Sequence, residues 1–229
     1  MKLLLFDVDL TLVNSGGAGR TAMTLAFEQV FGKKDGLSHV SFAGRTDRAI
    51  FRDGLQEHGI AWTEKRQDQF KQTYINLLQV EIKKPNPKQH IEPGICELLE
   101  ALTKQPDVIL GLLTGNWQSG AKIKLEHFGL LDYFKLGAFA DDSEVRNDLP
   151  HFAVQRYERH TGGKITPECV YIIGDTPRDV ACARSYGAQA VAVATGFYSF
   201  EELEASAPDI LFRDLSHTTD FLKMLNGKI

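Results

Sequence analysis

Two acidic residues directly follow an apolar run at the start of the chain. Residues 3–6 are all apolar, and Asp7 and Asp9 come next. The run predicts a strand buried on both faces, as in a parallel sheet. Side chains two apart on a strand project to one side, so both carboxylates can face one small space. Close carboxylates repel each other unless a proton or a cation lies between them. The pair therefore indicates a metal site, a proton-transfer role, or both; the alternative is a solvated turn in which one acid caps the next segment.

Polar residues also follow two later apolar runs of the chain. Thr114, Gly115 and Asn116 follow one of them, and Asp175, with Asp179 close behind, follows the other. If all three runs are parallel strands, their carboxyl ends meet at the edge of the sheet where open α/β folds bind ligands. This convergence favours a functional site over a solvated turn.

Each cluster suits one part of phosphoryl transfer. Asp7 is placed to attack phosphorus and form an aspartyl phosphate. Asp9 would protonate the leaving oxygen and later take a proton from the attacking water. Asp175, Asp7 and a backbone carbonyl of the first loop offer hard oxygen ligands for Mg²⁺. The Thr114 hydroxyl and the two backbone amides after it can donate hydrogen bonds to phosphate oxygens.

Arg146 is the best candidate for the cation that this chemistry also requires. It follows the third predicted strand of the sheet and should lie on the same rim, whereas Lys164 comes at the far end of the next helix. The alternative is a solvated arginine that pairs with Glu144 or Asp148, because surface ion pairs are common.

The first half of the chain is predicted to be mostly helical. Apolar residues recur there at helical spacing, and no strand signal appears between Gly16 and Ile91. A block of this size can form a unit of its own. The predicted boundaries are Gly32 at the end of the first helix, Asp47 and Thr63 as the caps of the second and third helices, and Pro85–Pro87 as the linker that follows.

From Pro93 onward, predicted strands alternate with predicted helices. That alternation indicates βαβ units, a parallel sheet and right-handed crossovers. The fold class is therefore α/β: a doubly wound, Rossmann-like core (residues 1–14 and 88–229) into which an all-helical cap domain (residues 15–87) is inserted. The predicted strands cover residues 108–113, 136–140, 170–173, 190–194 and 210–212. One predicted helix starts at Pro93 and another at Asp148, and further helices are predicted over residues 121–128, 177–186 and 221–225.

Composition excludes several classes of protein. The 229 residues are 43% apolar with a net charge of −4 and no basic stripe, which argues against nucleic acid as the main partner. The three cysteines share no metal-ligand spacing, so neither a disulfide framework nor a zinc site is expected. The chain opens in a strand with no signal-peptide pattern and no long apolar span, so we expect a cytoplasmic protein without a membrane partner, as a monomer or homodimer.

Together these residues resemble the haloacid-dehalogenase-like phosphatase superfamily, in its helical-cap branch. Residues 7–11 (DVDLT) match the first motif of that superfamily, Thr114 matches the second, and residues 174–179 (GDTPRD) match the G-D-x-x-x-D form of the fourth. The resemblance implies that Asp7 is the nucleophile, that Asp9 is the acid/base, and that Mg²⁺ is the cofactor.

The resemblance also implies the remaining metal ligands. Asp175 and the backbone carbonyl of Asp9 would join Asp7 at Mg²⁺, and Asp179 would act from behind the direct ligands or through water. The third motif departs from the pattern, because Arg146 stands where the family usually has lysine. Arginine keeps the charge and adds a bidentate fork, but it does not reproduce a compact ammonium. We expect activity to persist.

The helical block is similar to that of phosphoglycolate phosphatases and β-phosphoglucomutases. In those proteins, the cap closes over the core, excludes water and supplies substrate contacts. Residues 44–47 resemble the specificity loop of the cap, and Arg45 is the candidate to bind a second anionic or hydroxyl-rich group of the substrate. The alternative is a turn that leads to the helix cap at Asp47.

Three functions stay open from the sequence. The first is a Mg²⁺-dependent hydrolase that acts on a small phosphorylated metabolite such as phosphoglycolate or a sugar phosphate. The second is a sugar phosphomutase, which would use the same two acids, Asp7 and Asp9. The third is a binding or regulatory relative that keeps the fold but has weak turnover.

Overall fold

A six-stranded parallel sheet forms the centre of the protein. The computed structural model describes residues 1–227 of the chain. The strands of the sheet are β1 (Lys2–Phe6), β4 (Val108–Leu113), β5 (Leu136–Ala138), β6 (Val170–Gly174), β7 (Gln189–Val193) and β8 (Ile210–Phe212). The strands β2 (Val13–Ser15) and β3 (Gln89–Ile91) form a separate pair.

Helices cover both faces of this sheet and form a separate block beside it. The longest helix has 18 residues, and no helix within residues 1–227 has both the length and the apolar composition that a bilayer crossing requires. The helices are α1 (Ala18–Phe31), α2 (Asp47–Glu57), α3 (Glu64–Glu81), α4 (Ile95–Thr103), α5 (Gln118–His127), α6 (Leu149–Thr161), α7 (Pro177–Tyr186), α8 (Phe200–Ala205) and α9 (Thr218–Leu225).

The order of the strands puts β1 at the topological switch point. The order is β5-β4-β1-β6-β7-β8, and every pair in it is parallel. Leu4 is in register with Leu110 of β4 on one side and with Tyr171 of β6 on the other. The carboxyl ends of β4, β1 and β6 are therefore neighbours, and a ligand crevice is expected outside such a switch point. The predicted α/β doubly wound fold is confirmed.

Alternate residues of β1 anchor the two halves of the core. Leu4 and Phe6 pack with α4, α5 and α9 on one face of the sheet. Leu3 and Leu5 pack with α6, α7 and α8 on the other face. All four side chains are fully buried, because a strand in the middle of a doubly wound sheet has no solvent-facing side.

Helices α1, α2 and α3 form a third apolar cluster of their own. Phe51 of α2 stacks on Phe70 of α3 with ring centroids 4.5 Å apart. The cluster also takes in Trp117 and Ala140, which come from the β/α part of the chain. The helical block therefore packs against the loops that follow β4 and β5. The predicted domain limits, residues 15–87 for the inserted unit, stay a prediction.

Three short elements depart from the sequence prediction: β2, β3 and α8. Gln89–Ile91 forms the strand β3, which pairs antiparallel with β2, so the prediction of no strand between Gly16 and Ile91 is wrong. This strand pair places the two chain segments that enter and leave the helical block side by side. The strand β2 and the six-residue helix α8 were not predicted at all. All three elements are too short to show a clear hydrophobic period.

The start of α2 also differs from the prediction. Thr46, and not Asp47, is the N-terminal cap, because its hydroxyl accepts a hydrogen bond from the Ala49 amide at 3.1 Å. The predicted cap of α3 is confirmed: the Thr63 hydroxyl accepts from the Arg66 amide at 3.2 Å. Gly32 ends α1 in a left-handed conformation, as predicted.

The burial of β1 leads to a prediction about the stability of the fold. Leu5→Ala, at a fully buried position, should lower the free energy of unfolding by about 2–5 kcal/mol, because the substitution removes apolar contacts and leaves a cavity. Urea denaturation followed by circular dichroism measures this change. Leu25→Ala is the matched control, since Leu25 is 38% exposed and should change stability by about 0.5 kcal/mol or less. Equal losses in the two variants would contradict the assigned packing.

Candidate active site

A cavity of about 450 Å³ lies at the carboxyl-terminal edge of the sheet. Asp7, Thr114 and Asp175 line its base, and they directly follow β1, β4 and β6. The opposite wall comes from the helical block, through residues of α1, α3 and the loop before α2. The structure thus brings the three polar clusters of the sequence together in one space.

Two carboxylates of the cavity wall, those of Asp7 and Asp175, meet a third behind them, that of Asp179. Asp7, Asp175 and Asp179 each offer an oxygen atom, and these atoms lie within 4.8 Å of one another. All three residues are buried. The Thr11 hydroxyl donates a hydrogen bond to Asp175 at 3.2 Å, and the Thr176 hydroxyl donates to Asp179 at 2.7 Å. The cluster is therefore held rigidly from its outer side.

Two glycines allow the carboxylates to come this close. A Cβ atom at Gly196 would overlap the carboxylate of Asp175, and a Cβ atom at Gly174 would overlap that of Asp179. The loop after β1 is strained as well, since Leu10 has a φ of 61°, a left-handed conformation that costs a leucine on the order of 1 kcal/mol. The Thr195 hydroxyl holds this loop by donating to the Leu10 carbonyl at 2.6 Å.

Burial makes the negative charge of this cluster costly. It raises the pKa of Asp7 to about 6, although the charge of Arg146 opposes the rise. Burial also raises the pKa of Asp175, and the charges of Asp179 and Asp7 add to that rise. An additional cation at this point would offset both effects, since an opposite charge favours the ionised carboxylate.

The donor set fits a hard divalent cation. Three buried carboxylates that converge on one point are the kind of oxygen ligands that Mg²⁺ takes. Asp179 is less free than the other two, because it also accepts hydrogen bonds from the Thr176 amide and hydroxyl. That difference is compatible with a place behind the direct ligands.

Arg146 lies inside the cluster and not in solvent. Its Nη2 atom is 3.1 Å from Asp7 Oδ2 and 2.5 Å from Asp179 Oδ1. Burial alone would lower the pKa of Arg146, but the charges of Asp179 and Asp7 raise it above its ordinary value. The alternative of a solvated pair with Glu144 or Asp148 is therefore wrong. Contact of Arg146 with phosphate stays a prediction.

Asp9 lies beside the cluster, in a separate set of contacts. Its Oδ2 atom accepts from Asn116 Nδ2 at 2.9 Å. Lys124 Nζ donates to both oxygens of Asp9, at 2.8 and 2.6 Å. The Asp9 side chain is 39% exposed, while that of Lys124 is only 4% exposed. The Asp9 carboxylate is therefore open to the cavity on one side and held by a buried ammonium on the other. Proton transfer by Asp9 stays a prediction.

Thr114 connects Asp9 and Asp7 through hydrogen bonds. Its hydroxyl oxygen accepts from Asn116 Nδ2 at 2.8 Å, and a hydrogen bond with Thr114 favours the ionised form of Asp7 by lowering its pKa. Gly115, the next residue, packs closely against the helical block: a Cβ atom at Gly115 would overlap the Arg45 carbonyl. Donation by Thr114, Gly115 and Asn116 to phosphate stays a prediction.

The loop before α2 docks directly on the loop after β4. The Asp47 amide donates to the Gly115 carbonyl at 2.7 Å, and the Trp117 amide donates to Asp47 Oδ2 at 2.8 Å. Arg45 lines the cavity and pairs with Asp53 at 2.5 Å. The loop does lead into the start of α2, as the alternative interpretation held, but the cap is Thr46 and not Asp47. A substrate contact by Arg45 stays a prediction.

Sequence reasoning missed Lys124. A signal was present: Ala121, Lys124 and Leu125 are spaced so that they share one face of α5, and the two apolar residues are fully buried. A lysine within an apolar stripe is a candidate for a buried ion pair, because lysine is almost never buried without a partner. Its partner, Asp9, is distant in sequence and became evident only in the structure.

Comparison with known proteins gives a consistent family. A family model described as "Haloacid dehalogenase-like hydrolase" matches residues 4–193. The chain is 27% identical over 218 residues to phosphoglycolate phosphatase of Synechococcus elongatus, with 92% of each chain covered. It is 25% identical to phosphoglycolate phosphatase of Nitrosococcus oceani, with 96% of each chain covered.

Solved structures share the fold over nearly the whole chain. A predicted phosphoglycolate phosphatase from Haemophilus somnus aligns with a TM-score of 0.70 at 24% identity, covering 98% of this chain and 97% of the other. A hydrolase from Pseudomonas syringae aligns with a TM-score of 0.71 at 21% identity, covering 98% and 99%.

Asp47 makes a prediction about stability and pH. Burial raises the pKa of Asp47 from 3.8 to about 7, although the charge of Lys124 opposes the rise. A raised carboxyl pKa means that stability is lost as pH rises toward 7, because the folded state must then lose a proton that it binds well. Asp47→Asn avoids this loss and can still accept the hydrogen bond of Trp117. Its gain in unfolding free energy over the wild type should therefore be larger at pH 8 than at pH 5 by about 2–3 kcal/mol.

Chemical denaturation at the two pH values measures this difference. Asp68→Asn, at an exposed position of α3, controls for the substitution itself. A gain for Asp47→Asn that is the same at pH 5 and pH 8 would contradict the assigned pKa.

Proposed function

This chain belongs to the haloacid dehalogenase-like hydrolase family, and from that premise we propose that it is a Mg²⁺-dependent phosphomonoesterase acting on a small phosphorylated metabolite. One observation carries the proposal: the buried carboxylates of Asp7 and Asp175 line the same cavity, and an oxygen of Asp179 lies within 4.8 Å of both. The relatives named phosphoglycolate phosphatase make phosphoglycolate the first substrate to test.

The first step transfers the phosphoryl group to Asp7. One carboxylate oxygen of Asp7 forms a bond to phosphorus while the bond from phosphorus to the leaving oxygen breaks. The proton of Asp9 passes to that leaving oxygen, so that the product is a neutral alcohol. Asp9 is suited to this role because its carboxylate is partly exposed to the cavity, whereas that of Asp7 is buried.

The second step releases phosphate from Asp7. Water attacks phosphorus and gives its proton to Asp9, and the bond between phosphorus and the Asp7 oxygen breaks. Both carboxylates thereby return to their starting protonation states, and the net reaction consumes one water per phosphate released. Two displacements of this kind replace one slower direct attack of water.

Asp7, Asp175 and the backbone carbonyl of Asp9 are the proposed ligands of Mg²⁺, with Asp179 behind them. Mg²⁺ supplies charge that offsets both the phosphate and the clustered carboxylates. Arg146 contributes a fixed positive charge beside Asp7, with Nη2 3.1 Å from Oδ2. It thereby keeps the nucleophile ionised and oriented.

Substrate groups are proposed to bind on two sides of the cavity. Thr114, Gly115, Asn116 and Arg146 would hold the transferred phosphate, since the first three offer a hydroxyl and two amides at the end of β4. Arg45 would bind a second anionic or hydroxyl-rich group. The helical block, residues 15–87, would close over the bound substrate and exclude water.

Asp7→Asn tests the proposed nucleophile. It should lower phosphate release by about a thousandfold or more, because a neutral amide is a poor nucleophile. Removal of Mg²⁺ from the wild type with a chelator should also abolish release, and added Mg²⁺ should restore it. The measurement is inorganic phosphate released from a panel of metabolite phosphates that includes phosphoglycolate.

Asp68→Asn is the control for this experiment, because Asp68 is exposed on α3. Turnover by Asp7→Asn close to that of the wild type would rule out the nucleophile. Formation of an isomeric phosphate without release of inorganic phosphate would indicate a phosphomutase instead. Rates that do not respond to the chelator would rule out the proposed metal.

Arg146 provides a second prediction for the same site. Arg146→Met should lower the free energy of unfolding at pH 8 by about 3–5 kcal/mol, because it leaves the buried carboxylates of Asp7 and Asp179 without their cation. Arg146→Lys keeps the charge and should retain most of that stability. Denaturation and phosphate release are measured on both variants.

The two readouts have separate meanings. Equal stability of Arg146→Met and the wild type would contradict the structural role of the ion pair. A rate for Arg146→Lys at or above that of the wild type would show that only the charge, and not the guanidinium fork, is needed there.

A further inference from the structure

The side chain of Lys124 is saturated by acceptors from the loops after β1 and β4. Its Nζ atom lies 2.8 Å from Asp9 Oδ1, 2.6 Å from Asp9 Oδ2 and 2.7 Å from Asn116 Oδ1. An ammonium group has three N–H donors, and the three contacts use all of them. Although Lys124 lines the cavity, it has no donor left for a substrate in this arrangement.

Asn116 completes the support of the same carboxylate. Its Nδ2 atom donates to Asp9 Oδ2 at 2.9 Å and to the Thr114 hydroxyl at 2.8 Å. Lys124 and Asn116 also bond to each other, so Asp9 is held by a connected pair and not by two independent contacts. A carboxylate with such support keeps one orientation, which a proton transfer to a bound oxygen requires.

We infer that Lys124 is a positioning residue, which holds the Asp9 carboxylate in line for proton transfer to the leaving oxygen. This inference rests on the proposed function, in which Asp9 is the acid/base. The ammonium contacts both oxygen atoms of Asp9 before the reaction, so the carboxylate is already oriented and needs no reorganisation during the step.

The helical block buries Lys124 from the other side. A Cβ atom added at Gly19 of α1 would lie 3.1 Å from Lys124 Nζ and 3.3 Å from its Cε. Such distances are tighter than ordinary contact, so an alanine at position 19 must displace the end of the lysine side chain. Position 19 is helical without a positive φ, and alanine should therefore stabilise the helix itself relative to glycine.

The test uses the dependence of the rate on the leaving group. A strongly acidic leaving group such as p-nitrophenol departs with little help from a proton donor, whereas an alkyl alcohol needs one. Lys124→Met should lower kcat/KM by about 10- to 100-fold for the best alkyl phosphate of the substrate panel, and by about threefold or less for p-nitrophenyl phosphate. A merely structural role would lower both values equally.

Gly19→Ala and Lys122→Met complete the design. Gly19→Ala displaces the end of the Lys124 side chain by a few tenths of an ångström, so its loss should be unequal in the same direction as that of Lys124→Met but smaller, about 2- to 5-fold for the alkyl phosphate. Its melting temperature should stay equal to or above that of the wild type, and it keeps the test decisive if Lys124→Met does not fold. Lys122→Met is the matched control, because Lys122 is on the same helix, is exposed and pairs only with Glu126 at 3.6 Å among residues 1–227. It should leave both kcat/KM values unchanged.

Two results would overturn the inference while the proposed function stands. One is an equal loss for the two substrates in both variants at positions 19 and 124. The other is a rise in KM with unchanged kcat for Lys124→Met, which would mean that Lys124 binds substrate instead of positioning Asp9. If the wild type releases no phosphate from any substrate of the panel, the proposed function fails, and the inference fails with it.

Discussion

The rest of the structure depends on three carboxylates buried together at one end of a parallel sheet. Asp7, Asp175 and Asp179 repel one another, and within residues 1–227 Arg146 is the cation that contacts two of them. Burial is the main cause of the elevated pKa values of Asp7 and Asp175, and repulsion within the cluster adds to it, because one guanidinium leaves the three carboxylates with excess negative charge. A fold does not retain such an arrangement for stability alone, because each unpaired buried charge costs free energy. The excess charge is the property that the proposed Mg²⁺ site and the proposed phosphoryl transfer would use.

The helical block contacts the loops of the candidate site directly. The Asp47 carboxylate at the start of α2 accepts a hydrogen bond from the Trp117 amide, and the Asp47 amide donates to the Gly115 carbonyl, so two hydrogen bonds join the block to the loop after β4. Gly19 of α1 lies against the ammonium of Lys124, which in turn holds Asp9. A shift of the block relative to the sheet would therefore change the surroundings of Asp9. Packing of the block and orientation of the Asp9 carboxylate are coupled through these contacts.

Most long elements of the fold were predictable from the sequence, and the short ones were not. The strand Val108–Leu113 and the helix Pro177–Tyr186 lie where hydrophobic period and turn residues predicted them. The strand Gln89–Ile91 has two polar residues out of three and forms because β2 lies beside it; no local pattern carries that information. Thr46 and Asp47 are both suitable caps by type. A tertiary contact decides which of the two caps the helix, because the Asp47 carboxylate accepts a hydrogen bond from the Trp117 amide instead.

The sequence by itself determined which residues have the chemistry: an acidic pair after one strand, a hydroxyl with two amides after another, and two more acids after a third. It did so because strand ends and residue types are local properties. Only the tertiary structure decided how these groups are paired. Arg146 turns inward to Asp7 and Asp179 instead of outward to Glu144, and Lys124 reaches Asp9 from a different helix. These pairings depend on the order of the strands and on the direction in which each buried side chain points toward an opposite charge. The spacing of residues along the chain determines neither.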